Sequence, residues 1–367
     1  MSLADLVRPH IRNLAPYEPG KPMEELEREL GIRESIKLAS NENPLGPSPR
    51  AVEAMRNAAG EIHRYPDGAC FALRAALSAR LGVAEDQLVF GCGGDEILEL
   101  VAKTLLGPGD EVVHAWPSFA MYPIVIQGMG ARSVAVPLDA DFVHDLDAMA
   151  AAITDRTRIV MLCNPNNPTG TSFGARAFDR FVGALPDDVV LVVDEAYFEF
   201  NRRDDFPDVL ALTASRPGTL VLRTFSKIHG LAGIRIGYGV CDPGLASYLE
   251  RARHPFNVNR MAEVAALAAL DDRDHVRRTL ENNELGVEYL SSELGRMGIE
   301  TWPTDANFIL ARTGPDVFDA LLAKGVIVRP MTGFGLAEYV RISIGLPEEN
   351  ERLIKSLAEI RAAGGEA

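Results

Sequence analysis

The 367-residue chain has only four cysteines, Cys70, Cys92, Cys163 and Cys241, and no two are spaced as CxxC. That excludes a thioredoxin-like redox pair and a zinc ribbon, and it offers no disulfide framework. Two of them sit in apolar runs, VFGC and VMLC, where cysteine behaves as a small hydrophobe. The expectation is a reduced, cytoplasmic protein. The seven histidines include no HExxH and no ligand-spaced pair, so no metal site is expected. No apolar run approaches the roughly 20 residues of a membrane helix. The opening MSLADLVRPH has no apolar h-region, so no signal peptide is expected either. Positive charge is in deficit: Lys+Arg total 37 against Asp+Glu 52, a net charge of -15. Such a surface argues against nucleic acid and anionic membrane as partners. It leaves room for a small anionic substrate, because a local arginine cluster outweighs the average field. There are no internal repeats and no low-complexity segments.

What is present is a 47% hydrophobic chain, long enough for two domains. Residues 1–40 are rich in proline, with one helical stretch, PMEELEREL, and read as an N-terminal arm or cap rather than part of a sheet, contributing to the small domain and to a dimer. From about 85 onward, apolar runs alternate with helical patterns such as DEILELVAKTLL and ARAFDRFVGAL. The runs are QLVFGC, EVVHAW, ARSVAV, RIVMLC, VVLVVDE, TLVLRTF and RIGYGV. Several are apolar almost throughout, as in strands covered on both faces, so residues 41–255 are expected to form an α/β domain with a mostly parallel sheet. After about 255, long helices precede the short strands NFILAR, VIVRP and YVRISIG and a closing helix. Residues 256–367 therefore read as a smaller α+β domain.

Four stretches fall at predicted strand ends, where ligands gather in open α/β sheets. FGCGGDE (90–96) runs from a strand through a glycine turn into a helix, whose free N–H groups suit phosphate. A tight turn capped near Asp95, or an incomplete dinucleotide fingerprint, would read the same way. CNPNNPTG (163–170) holds Asn167 between another Asn and a Pro, ready to donate to a ligand oxygen or simply to make a turn. VVDEAYFEF (192–200) ends an apolar strand on Asp194, with Tyr197 beyond it. A buried carboxylate needs a cation, either a pyridinium nitrogen or a structural arginine. TFSKIHGLAGIRIGY (224–238) places Lys227 at a strand end, with Thr224, Ser226 and Arg235 as donors. A desolvated lysine forms a Schiff base with an aldehyde; an isolated one snorkels to the surface. One ligand accounts for all four stretches: pyridoxal 5'-phosphate, with an aldehyde for Lys227, a ring nitrogen for Asp194, a ring oxygen for Asn167 and Tyr197, and a phosphate for the rest.

NPNNPTG, DEAY and SKxxGLAGxRxGY, in this order, resemble fold-type I pyridoxal-phosphate enzymes of the aminotransferase class I/II superfamily, over nearly the whole chain. More narrowly, APYEPGKP (15–22), KLASNENPLGPSP (37–49), RYPDGA (64–69), PFNVNRMAE (255–263), VIVRPM (326–331) and YVRISIGLPEEN (339–350) resemble the histidinol-phosphate aminotransferase family. The resemblance implies that Lys227 carries the cofactor and shuttles a proton, that Asp194 pairs with the pyridinium, and that Asn167 and Tyr197 bond its ring oxygen. It implies that Gly94, Asp95, Thr224, Ser226 and Arg235 line the phosphate site. Phe119 would stack on the ring where many relatives have Tyr; stacking needs only the aromatic face. Tyr65 would reach a neighbouring subunit's phosphate, which implies a homodimer with shared sites. Arg341 would clamp a substrate carboxylate with its planar guanidinium, helped by Asn43. Tyr17 and Arg329 would hold a phosphate on the substrate.

The implied activity is a two-half-reaction transaminase that uses a small-molecule amino donor, glutamate, and a phosphorylated keto acceptor, imidazole acetol phosphate, and forms histidinol phosphate in histidine biosynthesis. An aromatic-amino-acid aminotransferase or a phosphothreonine-type decarboxylase on the same scaffold would share every cofactor residue. An NAD-dependent oxidoreductase using FGCGGDE is the alternative from a different class, and it leaves Asp194, Asn167 and Lys227 unexplained.

Overall fold

Residues 157–163, TRIVMLC, show why the central sheet is apolar throughout: Ile159, Met161 and Cys163 pack into one core, Val160 and Leu162 into another. Side chains alternate along a strand, so a strand with helices on both sides needs hydrophobic residues at every position. The computed structural model describes residues 2–17 and 20–364. Part of the APYEPGKP segment, residues 18 and 19, thus lies outside the described residues. The strands, in chain order, are β1 Ile36–Leu38, β2 Leu88–Gly91, β3 Glu111–Trp116, β4 Arg132–Pro137, β5 Thr157–Cys163, β6 Val190–Asp194, β7 Thr219–Thr224, β8 Gly237–Cys241, β9 Glu300–Thr301, β10 Phe308–Arg312, β11 Val326–Pro330 and β12 Tyr339–Ser343.

Seven strands form one sheet in the order β2-β8-β7-β6-β5-β3-β4. β8 is antiparallel to both its neighbours, and the run from β7 through β6, β5 and β3 to β4 is parallel. Helices Gly94–Leu105, Met121–Gly128 and Pro243–Ala252 cover one face, burying Ile97, Leu98, Val101, Tyr122 and Leu249 against it. Helices Leu146–Ala151, Ala175–Ala184 and Val209–Ser215 cover the other through Leu146, Met149, Phe178, Phe181 and Val209. Each such aliphatic or aromatic side chain contributes about 1.5–3 kcal/mol by leaving water, which makes this sheet the rigid part of the scaffold. Because β5, β6 and β7 are parallel, their carboxyl ends share one edge. Cys163 is opposite Asp194, Asp194 is opposite Leu222, and Thr224 follows just beyond.

The second sheet has the order β1-β11-β12-β10-β9. Helices Arg273–Arg296 and Pro347–Gly364 close its core through Val287, Leu290, Leu294, Leu353 and Leu357. One feature corrects the sequence expectation that the N-terminal arm stays out of the sheets. β1, at the end of that arm, pairs in parallel with β11, Ile36 opposite Val326 and Leu38 opposite Val328. Three residues, IKL, carry too little periodicity to announce a strand, and the partner is remote in sequence. β1 then leads directly into Ser40, Asn41 and Glu42, so this pairing carries the arm to the site.

Candidate active site

A cavity of about 270 Å³ is lined both by the carboxyl edge of the large sheet and by residues of β11, β12 and the segment after β1. Lys227 follows β7 in a turn that leaves it half-buried against the cavity. Burial lowers its pKa to about 8, and the nearby Arg341 charge pushes in the same direction. Its Nζ lies 3.4 Å from the Ser40 carbonyl and 5.6 Å from the centre of the Tyr197 ring. This is the opposite of a snorkelling lysine, and a desolvated amine is a better nucleophile at neutral pH.

Asp194 ends β6, 4% exposed, and lines the cavity. Its Oδ1 accepts from the Ala196 N–H at 3.0 Å and its Oδ2 from the Tyr122 hydroxyl at 3.1 Å. Among the described residues no cation forms an ion pair with it, and burial raises its pKa to about 6 against those two hydrogen bonds. The structural arginine that would have explained a buried carboxylate goes to its neighbour instead. Arg223 contacts Glu195 Oε2 through Nε at 2.9 Å and Nη2 at 2.8 Å, and its guanidinium lies 3.7 Å from the centre of the Phe198 ring. Successive residues point to opposite faces, so Glu195 is neutralised away from the cavity while Asp194 faces it.

The turn into helix Gly94–Leu105 is shaped by glycine. Gly93 has φ +81°, and a Cβ there would come within 2.5 Å of the Arg235 guanidinium; a Cβ on Gly94 would meet Leu222 at 2.9 Å. The helix N-terminus and Arg235 are thereby brought together. Arg235 donates to Asp95 at 2.9 Å. Thr224 Oγ1 accepts from the Ser226 N–H at 3.1 Å and lies 3.0 Å from the Ser226 hydroxyl, so both hydroxyls are held at the cavity wall. Phe119 lines the same cavity, packed edge-on against Tyr122.

The opposite wall is cationic. Arg329 on β11 and Arg341 on β12 are directly opposite in register. Two like charges at opposed positions are unfavourable unless an anion sits with them. Arg341 is 7% exposed; burial, with Arg329 adding repulsion, lowers its pKa to about 10. It donates to Asn167 Oδ1 and to the Ala39 carbonyl, and among the described residues its buried Nε has no partner. The Arg329 guanidinium lies 5.9 Å from the centre of the Tyr17 ring. Tyr197, in turn, accepts from Asn41 Nδ2 at 2.9 Å.

The structure therefore brings together Tyr17, Gly94, Asp95, Phe119, Asn167, Asp194, Tyr197, Thr224, Ser226, Lys227, Arg235, Arg329 and Arg341 around one cavity. It does not bring Asn43 there. Asn43 Nδ2 donates to the Ile228 carbonyl and the Thr279 hydroxyl, both at 3.0 Å, and its Oδ1 accepts from Leu45 N–H, so it braces the loop behind Lys227. Asn41 lines the cavity in its place, with φ 53°, a left-handed conformation that asparagine tolerates. In the string SNENP, composition alone gives no way to choose between the two. Tyr65 also lies away from this chain's cavity: it is 83% exposed and stacked on Phe256 at 4.8 Å. Sequence reasoning missed Tyr122 as well, because MYPIVIQG reads as an ordinary apolar helix; its hint was its position three residues after Phe119.

The side chains fit pyridoxal 5'-phosphate. Asp194 is a buried carboxylate facing the cavity with no ion-pair partner among the described residues, the glycine turn and Arg235 offer donors to a phosphate, and Lys227 is a desolvated amine. Residues 33–357 match the family described as aminotransferase class I and II. The chain is 50% identical over 359 residues to the histidinol-phosphate aminotransferase of Moorella thermoacetica, covering 97% of this chain and 93% of that one. It is 49% identical over 364 residues to the histidinol-phosphate aminotransferase of Akkermansia muciniphila, covering 98% of this chain and all of the other. Among solved structures, the Sinorhizobium meliloti histidinol-phosphate aminotransferase in complex with pyridoxal-5'-phosphate superposes with a TM-score of 0.89 at 30% identity, covering 97% of this chain and 98% of the other. With a match across most of its length and half its residues shared with such relatives, the chain belongs to the aminotransferase class I and II family.

Proposed function

We propose that this chain is a pyridoxal-phosphate-dependent transaminase that interconverts histidinol phosphate and 2-oxoglutarate with imidazole acetol phosphate and glutamate, a step of histidine biosynthesis. The carrying observation is one cavity with a desolvated lysine and a buried carboxylate that has no ion-pair partner among the described residues on one wall and opposed arginines on the other. When bound, the cofactor supplies an electron sink that stabilises negative charge at the substrate's amino-bearing carbon. The residues of the chain do the rest. Asp194 pairs with the ring nitrogen and keeps it protonated, and Tyr197 and Asn167 hold the ring oxygen. The helix that begins at Gly94, with Thr224, Ser226 and Arg235, anchors the cofactor phosphate. Lys227 Nζ, with its pKa near 8, takes and returns the proton at the reacting carbon.

Arg341 binds the carboxylate of glutamate, while Arg329 and Tyr17 take the phosphate of the other substrate, and the two arginines in register let one cavity serve both anions. We also infer a homodimer in which Tyr65 reaches the neighbouring cavity; the exposed side chains Ile62, Tyr65, Phe71 and Phe256 support it. Four cysteines without disulfides fit a reducing cytoplasm, and among the described residues no helix is long and apolar enough to cross a membrane. The test is kcat/KM for histidinol phosphate beside that for phenylalanine. The reading expects a large preference for histidinol phosphate; a preference for phenylalanine would move the chain to aromatic-amino-acid transamination.

A further inference from the structure

Tyr122 is fully buried on helix Met121–Gly128 and does not line the cavity, yet it touches two residues that do. Its ring stands edge-on to Phe119, centroids 5.7 Å apart at 88°. Its hydroxyl donates to Asp194 Oδ2 at 3.1 Å, while the Ala196 N–H holds Oδ1 at 3.0 Å. Each carboxylate oxygen thus has one fixed donor, and the remaining lone pairs are left to a cation in the cavity. The geometry points to Tyr122 as a positioning residue: its hydroxyl fixes the orientation of Asp194 and favours its ionised form, so that the carboxylate is ready for the pyridine nitrogen. This rests on the pyridoxal-phosphate reading above.

The physical need for such a donor is clear from the surroundings. Burial disfavours the Asp194 carboxylate, and Asp95 adds repulsion; the Ala196 N–H, the Tyr122 hydroxyl and the charge on Lys227 oppose them. The ionisable groups beside this cluster, Tyr197, the Cys163 thiol and His114, whose ring stands edge-on to Tyr122, are held neutral by burial and supply no positive charge. Lys227 is the cationic neighbour that the cofactor aldehyde would engage, so its charge would not be constant. The hydrogen bonds from Ala196 and Tyr122 are the contributions that do not depend on the cofactor's chemistry. A charge-assisted bond of this kind also holds the side chain in one rotamer, which matters for aiming at a planar ring.

The experiment compares the wild-type holoenzyme, Tyr122→Phe, Asp194→Asn and the double variant, each loaded with pyridoxal phosphate labelled with 15N in the ring. Tyr122→Phe keeps the ring packed on Phe119 and removes only the hydroxyl. In the wild type the 15N shift is that of a pyridinium. In Tyr122→Phe it moves toward neutral pyridine, and the cofactor dissociation constant rises roughly ten-fold, the scale of one hydrogen bond to a charged group. In the Asp194→Asn background the tyrosine substitution has no further effect, because its action runs through the carboxylate. A shift unchanged in Tyr122→Phe, or an equal loss of cofactor affinity in both backgrounds, overturns the inference and leaves Tyr122 as packing. A wild-type protein that takes up no cofactor overturns the functional reading itself, and this inference with it.

Discussion

The two walls of the cavity are built in different ways. The wall that the proposed function gives to the cofactor comes from consecutive strand ends of one sheet: Cys163, Asp194 and Thr224 lie along one edge, with Lys227 just past it. The wall that the proposed function gives to the substrate is assembled from segments distant in sequence: Tyr17 and Asn41 from the N-terminal region, Arg329 from β11 and Arg341 from β12. The first wall is suited to chemistry that never varies, since its groups sit at the ends of buried strands and Asp194 is held by the Ala196 N–H and the Tyr122 hydroxyl. The second is suited to choosing a substrate, because a shift of one strand or of the arm changes which anions fit, although Lys227 feels it through the Ser40 carbonyl and the Arg341 charge. Asn167 joins the two, placed at the end of β5 but held by Arg341.

The sharpest way to break this division is Lys227→Ala. Transamination is expected to fall by roughly 10³-fold or more with every amino donor, the scale of a lost nucleophile and proton carrier. Borohydride should fix the cofactor to the 224–238 segment in the wild type and not in the variant. A loss limited to one substrate would show that the cofactor-facing wall also selects. On the other wall, Arg329→Gln is expected to lower kcat/KM for histidinol phosphate roughly 10–100-fold, the strength of a hydrogen bond to a charged group, with little change for phenylalanine. Equal losses for both substrates would erase the assigned difference between the walls.

The smallest effect concerns pH. The neutral amine is the form that attacks an aldehyde. Burial lowers Lys227 to about 8, so the rate at which cofactor-free protein captures pyridoxal phosphate should climb as pH rises through 8 and then level off. An ordinary lysine would continue to gain until roughly pH 10.4. A rate still climbing at pH 10 would mean that Lys227 is not desolvated as its position indicates.

Much of the cofactor-facing wall was legible in the sequence because its signals are local. An apolar strand ending in Asp, an NPNNPTG turn and an SK followed by glycines each place a functional side chain within a few residues of a strand end, and period-two burial fixes its side of the sheet. Asp194 was chosen from its place at the strand end, but how Glu195 beside it is neutralised was not local. Both end the same run; Arg223, on the adjacent strand, takes Glu195 and leaves Asp194 to the cavity. Asn41 and Asn43 present the same case: the left-handed turn at Asn41 and the bond from Asn43 to Ile228 decide which one faces the ligand. Tyr122 was invisible because its partner is a different strand end.

The sequence by itself determined the elements and the chemistry offered at their ends, since hydrophobic periodicity and turn residues act over a few positions. Only the tertiary structure decided which of two neighbouring polar groups is neutralised and which is left to a ligand, and how the arm, β11 and β12 bring two arginines into register. Those outcomes depend on hydrogen bonds and charge contacts between segments far apart in the chain, and no local pattern records them.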